Sequence, residues 1–389
     1  MQYIFFAIMI LTVNIYADTI TKVDNINSIK RDINLSMSND TIKPSEQEIK
    51  KLIGNMLMIG FYGEDISKNS KIIQNIEKYH ISGVILFDKN PNNKNKVKNI
   101  KSPKQLAKLT KKLQSFTSHY ILIATDQEGG LVSRLKKSNN FHTIPGARTI
   151  SKKNNTGFAK LTYATLANDL ATNGINCDFA PVVDLAINKN NNVIVRVGRS
   201  YGKSPKKVIK FAKIFIEELN KKGIISVLKH FPGHGSSLRD SHYGFVDISK
   251  TWDKVELQPY VYFIKHGLVD IIMTAHVFNS NLDNKYPASL SYKVNTELLR
   301  KKMAYHGVII TDDLQMKAIT KKYSLKEVAT LAINAGVDIL LFANQLDKEL
   351  DVDKFIDIVY HQIIEHKIPL SKIVNANQRI ISLIEKYKN

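Results

Sequence analysis

Cysteine and long apolar runs are scarce in this chain of 389 residues, and each shortage limits what the protein can be. The single cysteine, Cys177, cannot form an internal disulfide and is too little for a thiolate zinc site. The apolar run at 3–13 is shorter than the roughly 20 residues of a transmembrane helix, and no second span follows, so we expect no stable membrane span. Gly129-Gly130 belongs to neither a GxGxxG fingerprint nor a Walker lysine motif, which argues against a nicotinamide cofactor.

Acidic residues are outnumbered, because 35 Asp and Glu face 56 Lys and Arg and leave a net charge of +21. Such a charge suggests a nucleic acid or an anionic surface as partner. The alternative, which we favour, is a Lys-, Asn- and Ile-rich composition that coats the surface with solvated lysines. Residues 89–104 (KNPNNKNKVKNIKSPK) contain no aromatic side chain that could stack on a base, so we predict an exposed loop there and no nucleic-acid partner.

The N-terminal 44 residues predict an exported protein. The run at 3–13 has the length of a signal-peptide core, and Ala17 provides a small residue at a plausible cleavage point. We therefore predict a signal peptide over 1–17 and a polar linker over 18–44. The expected location is periplasmic or secreted, or cytoplasmic if the signal does not function. A buried first strand or helix is the alternative, because no basic residue precedes the run.

The rest of the chain alternates short apolar runs with amphipathic stretches. Eight runs are typical of buried parallel strands, because each is brief and flanked by Gly, Asp or Asn. They cover 56–61, 83–87, 121–126, 177–184, 224–230, 270–276, 307–312 and 336–342. Helical patterns lie between several of them, for example over 159–174 and 205–223. The pattern favours an α/β fold with a single (β/α)8 TIM-type barrel over 45–389, and a doubly wound open sheet is the alternative.

Polar side chains stand at the carboxyl ends of five predicted strands. Those ends share one face of a closed barrel, and that face holds the active site, so together they predict a catalytic cleft. Any one alone is weak evidence, because Asp at a strand end is commonly a helix N-cap. The residues are Asp126, Asp184, Lys229 with His230, His276 and Asp312.

One loop carries the residue types of acid–base chemistry. The segment KHFPGHG, residues 229–235, leads into Asp240-Ser241-His242. A carboxylate two residues from an imidazole on an extended loop can fix the tautomer of the imidazole and raise its basicity, which suits an acid/base catalyst. The histidines with Asp240 could instead hold a metal, although the i, i+4 pair of a zincin helix is missing, and we expect no metal.

A second segment, Asp312-Asp313, follows a predicted strand. A carboxylate held in a polar cleft at a strand end can act as a nucleophile, so we assign Asp312 to the cleft and Asp313 to a helix N-cap in a supporting role. Arg134 and Arg199 stand near glycines that let the backbone approach a ligand closely. Cations and carboxylates at a barrel mouth suit a hydroxyl-rich or anionic substrate.

These segments together resemble the family 3 glycoside hydrolases, in particular the β-N-acetylglucosaminidase branch. The matching motifs are TDQEGGLVSR, GRSYG, KHFPGHGSSLRDSH and GVIITDDLQM, in the order of the family over roughly residues 45–345. The resemblance implies a barrel domain without a cofactor and a carbohydrate substrate. The sequence leaves the oligomeric state open, and a monomer is the expectation.

The resemblance also implies residue roles. It makes Asp312 the nucleophile and His242 the general acid/base, with Asp240 as the dyad partner of the histidine. The implied sugar contacts are Asp126, Arg134, Arg199, Lys229 and His230. The implied reaction is retaining, exo-acting hydrolysis of terminal N-acetylglucosamine from peptidoglycan fragments or related amino-sugar glycosides, through a covalent glycosyl-enzyme. A histidine acid/base departs from the usual pair of carboxyl groups, and a neutral imidazole avoids a third anion beside the two aspartates.

Three features depart from the family pattern. Leu131 replaces a usual Arg, Ser236-Ser237 replace Asp-Thr, and Phe245-Val246 stand where Leu-Pro is common. Beyond the last predicted strand we expect only terminal helices and no second sandwich domain. A β-glucosidase, β-xylosidase or glycoside phosphorylase on the same fold is the alternative, although the DSH dyad favours the amino-sugar branch. A more distant alternative is a basic protein that binds anionic glycan or nucleic acid.

Overall fold

The computed structural model describes residues 44–238, 240, 241, 243–345 and 349–388, and eight parallel strands form the centre of this part. They are β1 (Leu57–Gly60), β2 (Gly83–Ile85), β3 (Leu122–Thr125), β4 (Cys177–Asp178), β5 (Ile225–Phe231), β6 (Ile271–Thr274), β7 (Val308–Thr311) and β8 (Leu340–Phe342). Each strand falls on one of the eight apolar runs, and its residues are buried. The strand prediction is confirmed, because a strand covered on both faces needs a continuous apolar run.

The strands pair in chain order, and β8 pairs with β1. Between β7 and β8 the connection is a parallel bridge from Ile310 to Ile339, with Thr311 N–H donating to the Ile339 carbonyl at 3.1 Å. The sheet therefore closes on itself as a TIM-type barrel, and the alternative of a doubly wound open sheet is wrong.

The fourth predicted strand is shorter than its apolar run. The run covers 177–184, whereas β4 ends at Asp178 and is followed by Ala180-Pro181. Proline has no N–H to give to a strand ladder, which explains why the regular pairing stops there. Val182 then forms an isolated bridge with Lys229, so the polypeptide still runs beside β5 towards the mouth of the barrel.

Helices cover the outside of the barrel. The α-helices are Glu46–Gly54, Lys71–Tyr79, Pro103–Phe116, Ala147–Lys153, Thr156–Thr172, Pro205–Asn220, Gln258–Lys265, Lys317–Thr320, Leu325–Ala335, Val352–Ile364 and Leu370–Tyr387. A π-helix spans Lys293–Lys302, and 3-10 turns occupy Lys137–Asn139, Lys254–Leu257 and Ala288–Leu290. The helices predicted over 159–174 and 205–223 and the terminal helices are present. Pro205 stands in the first turn of its helix, where a missing N–H costs no hydrogen bond.

Three short ribbons lie outside the barrel sheet in the described residues. They pair Lys89–Asn90 with Asn93–Val97, Gln127–Gly129 with Val132–Ser133, and Val246–Asp247 with Val277–Phe278. The first ribbon corrects the prediction of a plain exposed loop over 89–104. Residues 98–100 after it are buried, because Asn99 fastens them to the barrel by donating to the carbonyl of Phe61 and accepting from the N–H of Phe87.

The predicted signal peptide, 1–17, and all but the last residue of the predicted linker lie outside the described residues. Across the ranges that are described, no helix is both long enough and apolar enough to cross a membrane.

Two histidines stack on each other at the end of the barrel where the strands begin. His80 precedes β2 and His119 precedes β3, and their ring centroids lie 5.1 Å apart. His80 is 7% exposed. Burial, together with the neighbouring His119, lowers the pKa of His80 to about 3. The folded protein therefore keeps this imidazole neutral at pH values where the unfolded chain would protonate it.

This pair predicts a loss of stability in acid. The pKa of His80 is lowered in the folded state. The contribution of this histidine to the unfolding free energy is therefore complete above pH 6.5 and declines as the pH falls towards 3. Between pH 7 and pH 5 the decline amounts to about 2 kcal/mol of unfolding free energy. Asparagine tolerates the left-handed backbone of His80 (φ 54°), so His80→Asn is a suitable variant. Between pH 7 and pH 5, we expect the unfolding free energy measured in urea to fall less in His80→Asn than in wild type, by about the amount given above. His361→Asn, at an exposed helical position, is the control, and equal pH slopes in wild type and His80→Asn would contradict the prediction.

Candidate active site

A cavity of about 390 Å³ opens at the carboxyl ends of the barrel strands. Its wall brings together all five predicted sugar contacts and the predicted nucleophile, which come from widely separated parts of the sequence. They are Asp126, Arg134, Arg199, Lys229, His230 and Asp312. Apolar side chains such as Phe87, Phe179 and Met273 complete the wall. A concave, largely apolar site with a few convergent polar groups is the usual form of a small-molecule site.

Glu128 holds two of the cations in this wall. The Arg199 guanidinium donates from Nε to Glu128 Oε2 and from Nη2 to Oε1, both at 2.7 Å. The Lys229 ammonium lies 2.7 Å from the same Oε1. The Glu128 side chain is 5% exposed. Burial alone would raise the pKa of this carboxyl, but the charges of Arg199 and Lys229 outweigh it and lower the pKa. Glu128 is therefore an anion that fixes both cations.

Asp126 forms the other half of the charged cluster. Its Oδ1 lies 2.9 Å from Lys229 Nζ, and its Oδ2 accepts from Arg134 Nη2 at 3.2 Å. Burial opposes ionisation of Asp126, but Lys229 and Arg134 more than compensate and lower its pKa. For Lys229 itself, burial is outweighed by the two carboxylates, which raise its pKa. Three cations thus share two carboxylates within this cluster.

The hydrogen bonds of His230 define its protonation. Its Nδ1 lies 2.7 Å from Asp184 Oδ2, and its Nε2 lies 3.3 Å from Arg199 Nη2. Arginine can only donate, so Nε2 is the acceptor and the ring proton sits on Nδ1, where it donates to the carboxylate. Burial alone would raise the pKa of Asp184, but its contacts with His230 and His234 lower it. Asp184 is fully buried and orients His230 from behind, rather than lining the cleft as expected.

The Asp312-Asp313 turn is fixed by backbone and side-chain contacts. Asp312 N–H donates to the Thr274 carbonyl at 2.9 Å, and Asp312 Oδ1 accepts from Asp313 N–H at 2.8 Å. The N-cap prediction for Asp313 is wrong, because the next helix begins at Lys317 with Met316 as its N-cap. Asp313 Oδ1 accepts instead from the N–H groups of Gln315 and Ala343, both at 3.1 Å. It ties the turn after β7 to the end of β8.

His276 supports the same turn from below. Its Nε2 donates to the Asp313 carbonyl at 2.8 Å, because a carbonyl can only accept. Its Nδ1 lies 2.7 Å from Ser289 Oγ, and the residue is 1% exposed. The expectation that His276 belongs to the cleft is therefore corrected, since this histidine positions the turn that carries Asp312.

The loop after β5 carries the predicted acid/base residues. His234 Nδ1 lies 2.7 Å from Ser237 Oγ, a serine that also accepts from Asn191 Nδ2 at 2.9 Å. Burial, with His230 close by, lowers the pKa of His234 to about 4, so this imidazole is neutral. Asp240 is half-buried on the same loop. His242 lies outside the described residues, and its pairing with Asp240 stays a prediction.

Two further features of the site were not predicted from the sequence, Glu128 behind the cavity wall and an ion pair in the wall itself. Glu128 belongs to the motif TDQEGGLVSR and lies two residues after Asp126, so a charged residue just past a strand end is the signal that could have identified it. Asp88 and Lys136 form the ion pair that lines the cavity. Asp88 follows the second apolar run and could have been found by the reasoning that identified Asp126. Across the described ranges, no group of three or more His, Cys, Asp or Glu side chains is placed to hold a metal.

A closed (β/α)8 barrel with carboxylates and cations around one cavity at its strand ends has the architecture of a TIM-barrel enzyme. Residues 48–383 match the glycosyl hydrolase family 3 N terminal domain, which is most of the chain. The chain therefore belongs to glycosyl hydrolase family 3.

Relatives of this chain carry β-hexosaminidase names. The chain is 33% identical over 301 residues to Beta-hexosaminidase A of Pseudoalteromonas piscicida, across 72% of this chain and 48% of that protein. It is 36% identical over 269 residues to a Beta-hexosaminidase of Tolumonas auensis, across 68% of this chain and 76% of that one. A solved family 3 β-N-acetylglucosaminidase from Paenibacillus sp. str. FPU-7 has a TM-score of 0.78 at 30% identity, across 87% of this chain and 62% of that one. The chain thus spans about half the first relative and less than two thirds of the solved structure.

The charged cluster predicts a large cost for removing Glu128. Glu128→Gln leaves Arg199 and Lys229 buried without their shared anion, so we expect the unfolding free energy in urea to fall by about 3 kcal/mol. The control is Glu217→Gln, which breaks a 3.6 Å pair with Lys213 whose side chains are both 42% exposed, and should cost less than about 0.5 kcal/mol. Equal costs for the two variants would show that the cluster does not depend on the Glu128 charge.

Proposed function

We propose that this protein is a retaining, exo-acting β-N-acetylglucosaminidase that releases terminal N-acetylglucosamine from peptidoglycan fragments or related amino-sugar glycosides. The observation that carries the proposal is the shared cavity, where Asp312 faces the same space as five residues that the family resemblance assigns to sugar contact. The names of the relatives and of the solved structure support the choice of sugar.

The charged cluster suits a sugar ring. The Asp126 carboxylate is held from both sides by Lys229 and Arg134, and a carboxylate has enough lone pairs to accept from sugar hydroxyls as well. The ammonium and guanidinium groups donate to hydroxyl oxygens, and charge-assisted hydrogen bonds of this kind are stronger than neutral ones. Because the ion pairs fix these groups before substrate arrives, the sugar binds to a preorganised surface.

In the proposed first step, an Asp312 oxygen attacks the anomeric carbon while the bond to the leaving oxygen breaks. The Asp313 N–H on Asp312 Oδ1 fixes the orientation of the carboxylate for this attack. His242 gives its proton to the leaving oxygen, and an ester joins the sugar to Asp312. In the second step His242 takes a proton from water, the water oxygen attacks the anomeric carbon, and Asp312 is released as a carboxylate.

Asp240 is proposed to orient His242 and to raise its basicity. As an imidazolium, His242 can donate its proton and become a neutral imidazole, so no third negative charge develops beside Asp312 and Asp240.

Removal of the nucleophile tests the proposal. Asp312→Asn has nearly the same shape but cannot form the glycosyl ester, so hydrolysis of a chromogenic N-acetyl-β-glucosaminide should fall on the order of 10³-fold or more. The matched control is Asp357→Asn on an outer helix, an exposed aspartate that pairs with Lys50, and it should leave the rate unchanged. Wild-type release no higher than that of Asp312→Asn would overturn the proposed activity.

Alternative substrates separate the proposal from other activities on this fold. We expect the glucoside and the xyloside to react more slowly than the N-acetylglucosaminide, and added phosphate to leave both rate and product unchanged. Faster turnover of the glucoside or xyloside, or formation of a sugar phosphate, would replace the proposed specificity. Release of N-acetylglucosamine from defined muropeptides tests the peptidoglycan part separately.

We also propose that residues 1–17 direct export, so that the enzyme acts in the periplasm or outside the cell. The support is the apolar run at 3–13, followed by Ala17 at a position suited to cleavage. Mass spectrometry of the protein from its own cells should find a chain that begins at Asp18 in the exported fraction. A chain that retains Met1 in the cytoplasmic fraction would contradict export.

A further inference from the structure

Lys98 is a lysine turned into the protein from an otherwise basic surface segment. It is 1% exposed, whereas Lys96 and Lys101 on either side are exposed. Its Nζ donates to the carbonyl oxygens of Ala343 at 3.0 Å and Asn344 at 2.5 Å. The same nitrogen lies 4.6 Å from the ring centroid of Tyr62 and 5.0 Å from that of Phe87. Among the residues that the structure describes, the direct partners of this ammonium are carbonyl oxygens and ring faces.

Keeping a cation at this position is energetically unfavourable. Burial lowers the pKa of Lys98 to about 7, although Asp313 and Glu349 act in the opposite direction. A buried charge normally requires direct pairing with an opposite charge, and carbonyl and ring contacts compensate less completely. A methionine or leucine would fill the same space without this cost, so packing alone does not explain a lysine here.

The two carbonyls that Lys98 holds belong to a segment that touches the Asp312 turn. In this segment, Ala343 N–H donates to Asp313 Oδ1 at 3.1 Å. Asn344 N–H donates to Gln315 Oε1 at 2.7 Å, and Gln315 Nε2 donates back to Asn344 Oδ1 at 3.1 Å. Ala343 itself lines the cavity together with Asp312 and Asp313. A continuous set of hydrogen bonds thus leads from Lys98 through the end of β8 to the turn after β7.

We propose that Lys98 is a positioning residue for the proposed nucleophile. Its ammonium holds the Ala343 and Asn344 carbonyls by hydrogen bonds. This orients the Ala343 N–H towards Asp313 and the Asn344 N–H towards Gln315. The turn that carries the Asp312 carboxylate is thereby fixed. The inference rests on the proposed hydrolase activity, because Asp312 is the group that benefits. A positioning residue of this kind affects the rate of the chemical step more than the binding of the sugar, which is held by the cluster around Glu128.

Kinetics of Lys98 variants test the proposal. Lys98→Met keeps the aliphatic stem and removes the donors, Lys98→Arg keeps a cation, and Lys96→Met removes an exposed lysine two residues away as the control. With a chromogenic N-acetyl-β-glucosaminide we expect Lys98→Met to lower kcat at least tenfold while KM stays within about twofold, and Lys98→Arg to recover part of kcat. An unchanged kcat in Lys98→Met, or a KM change as large as the kcat change, would overturn the positioning role.

Hydrogen exchange measures the same contact without any substrate. In Lys98→Met the amides of 312–316 and 340–345 should exchange at least tenfold faster than in wild type, while those of β3 and β5 keep their wild-type protection. If Lys98→Met does not fold, Lys98→Gln takes its place, since glutamine keeps one donor group without the charge. Unchanged exchange in 312–316 would overturn the proposal. An inactive wild type with accelerated exchange in the variant would refute the hydrolase and leave the Lys98 contact established.

Discussion

The candidate site depends on one buried carboxylate, Glu128, which binds the guanidinium of Arg199 and the ammonium of Lys229 at the same time. Without that anion the two cations would lie in a dry cavity wall and repel each other, and each would be expensive to keep. With it, Lys229 can also pair with Asp126, which in turn holds Arg134. The order of the whole cluster follows from the geometry of a single side chain after β3.

Around this cluster, several polar residues at strand ends act on other residues rather than on a ligand. Asp184 orients His230, His276 holds the carbonyl of Asp313, and Asp313 joins the ends of β7 and β8. All are strongly buried, so their hydrogen bonds are protected from water and hold the cavity wall rigid. A barrel mouth of this kind therefore contains two sorts of polar residue, those that face the cavity and those that fix the first sort.

The sequence was sufficient to predict the barrel, because a strand buried on both faces must be an unbroken apolar run and eight such runs are visible. It also indicated which residues gather at the strand ends, since closure brings those ends together. It did not distinguish residues that face the cavity from residues that support them. Asp313 resembles a helix N-cap, Lys98 resembles its exposed neighbours, and Glu128 resembles any charge in a turn, because each role depends on partners far away in the chain.

Many contacts of the site join residues that are distant in sequence. Asp126 and Lys229 are 103 positions apart, and Lys98 and Ala343 are 245 positions apart. Long loops must close before such contacts form, so their entropic cost falls late in folding. A chain whose eighth strand has not yet joined the barrel lacks Leu341 and Ala343 in the cavity wall, and Asp313 lacks its contact with the Ala343 N–H. Completion of the cavity wall and closure of the barrel are thus the same step for this molecule.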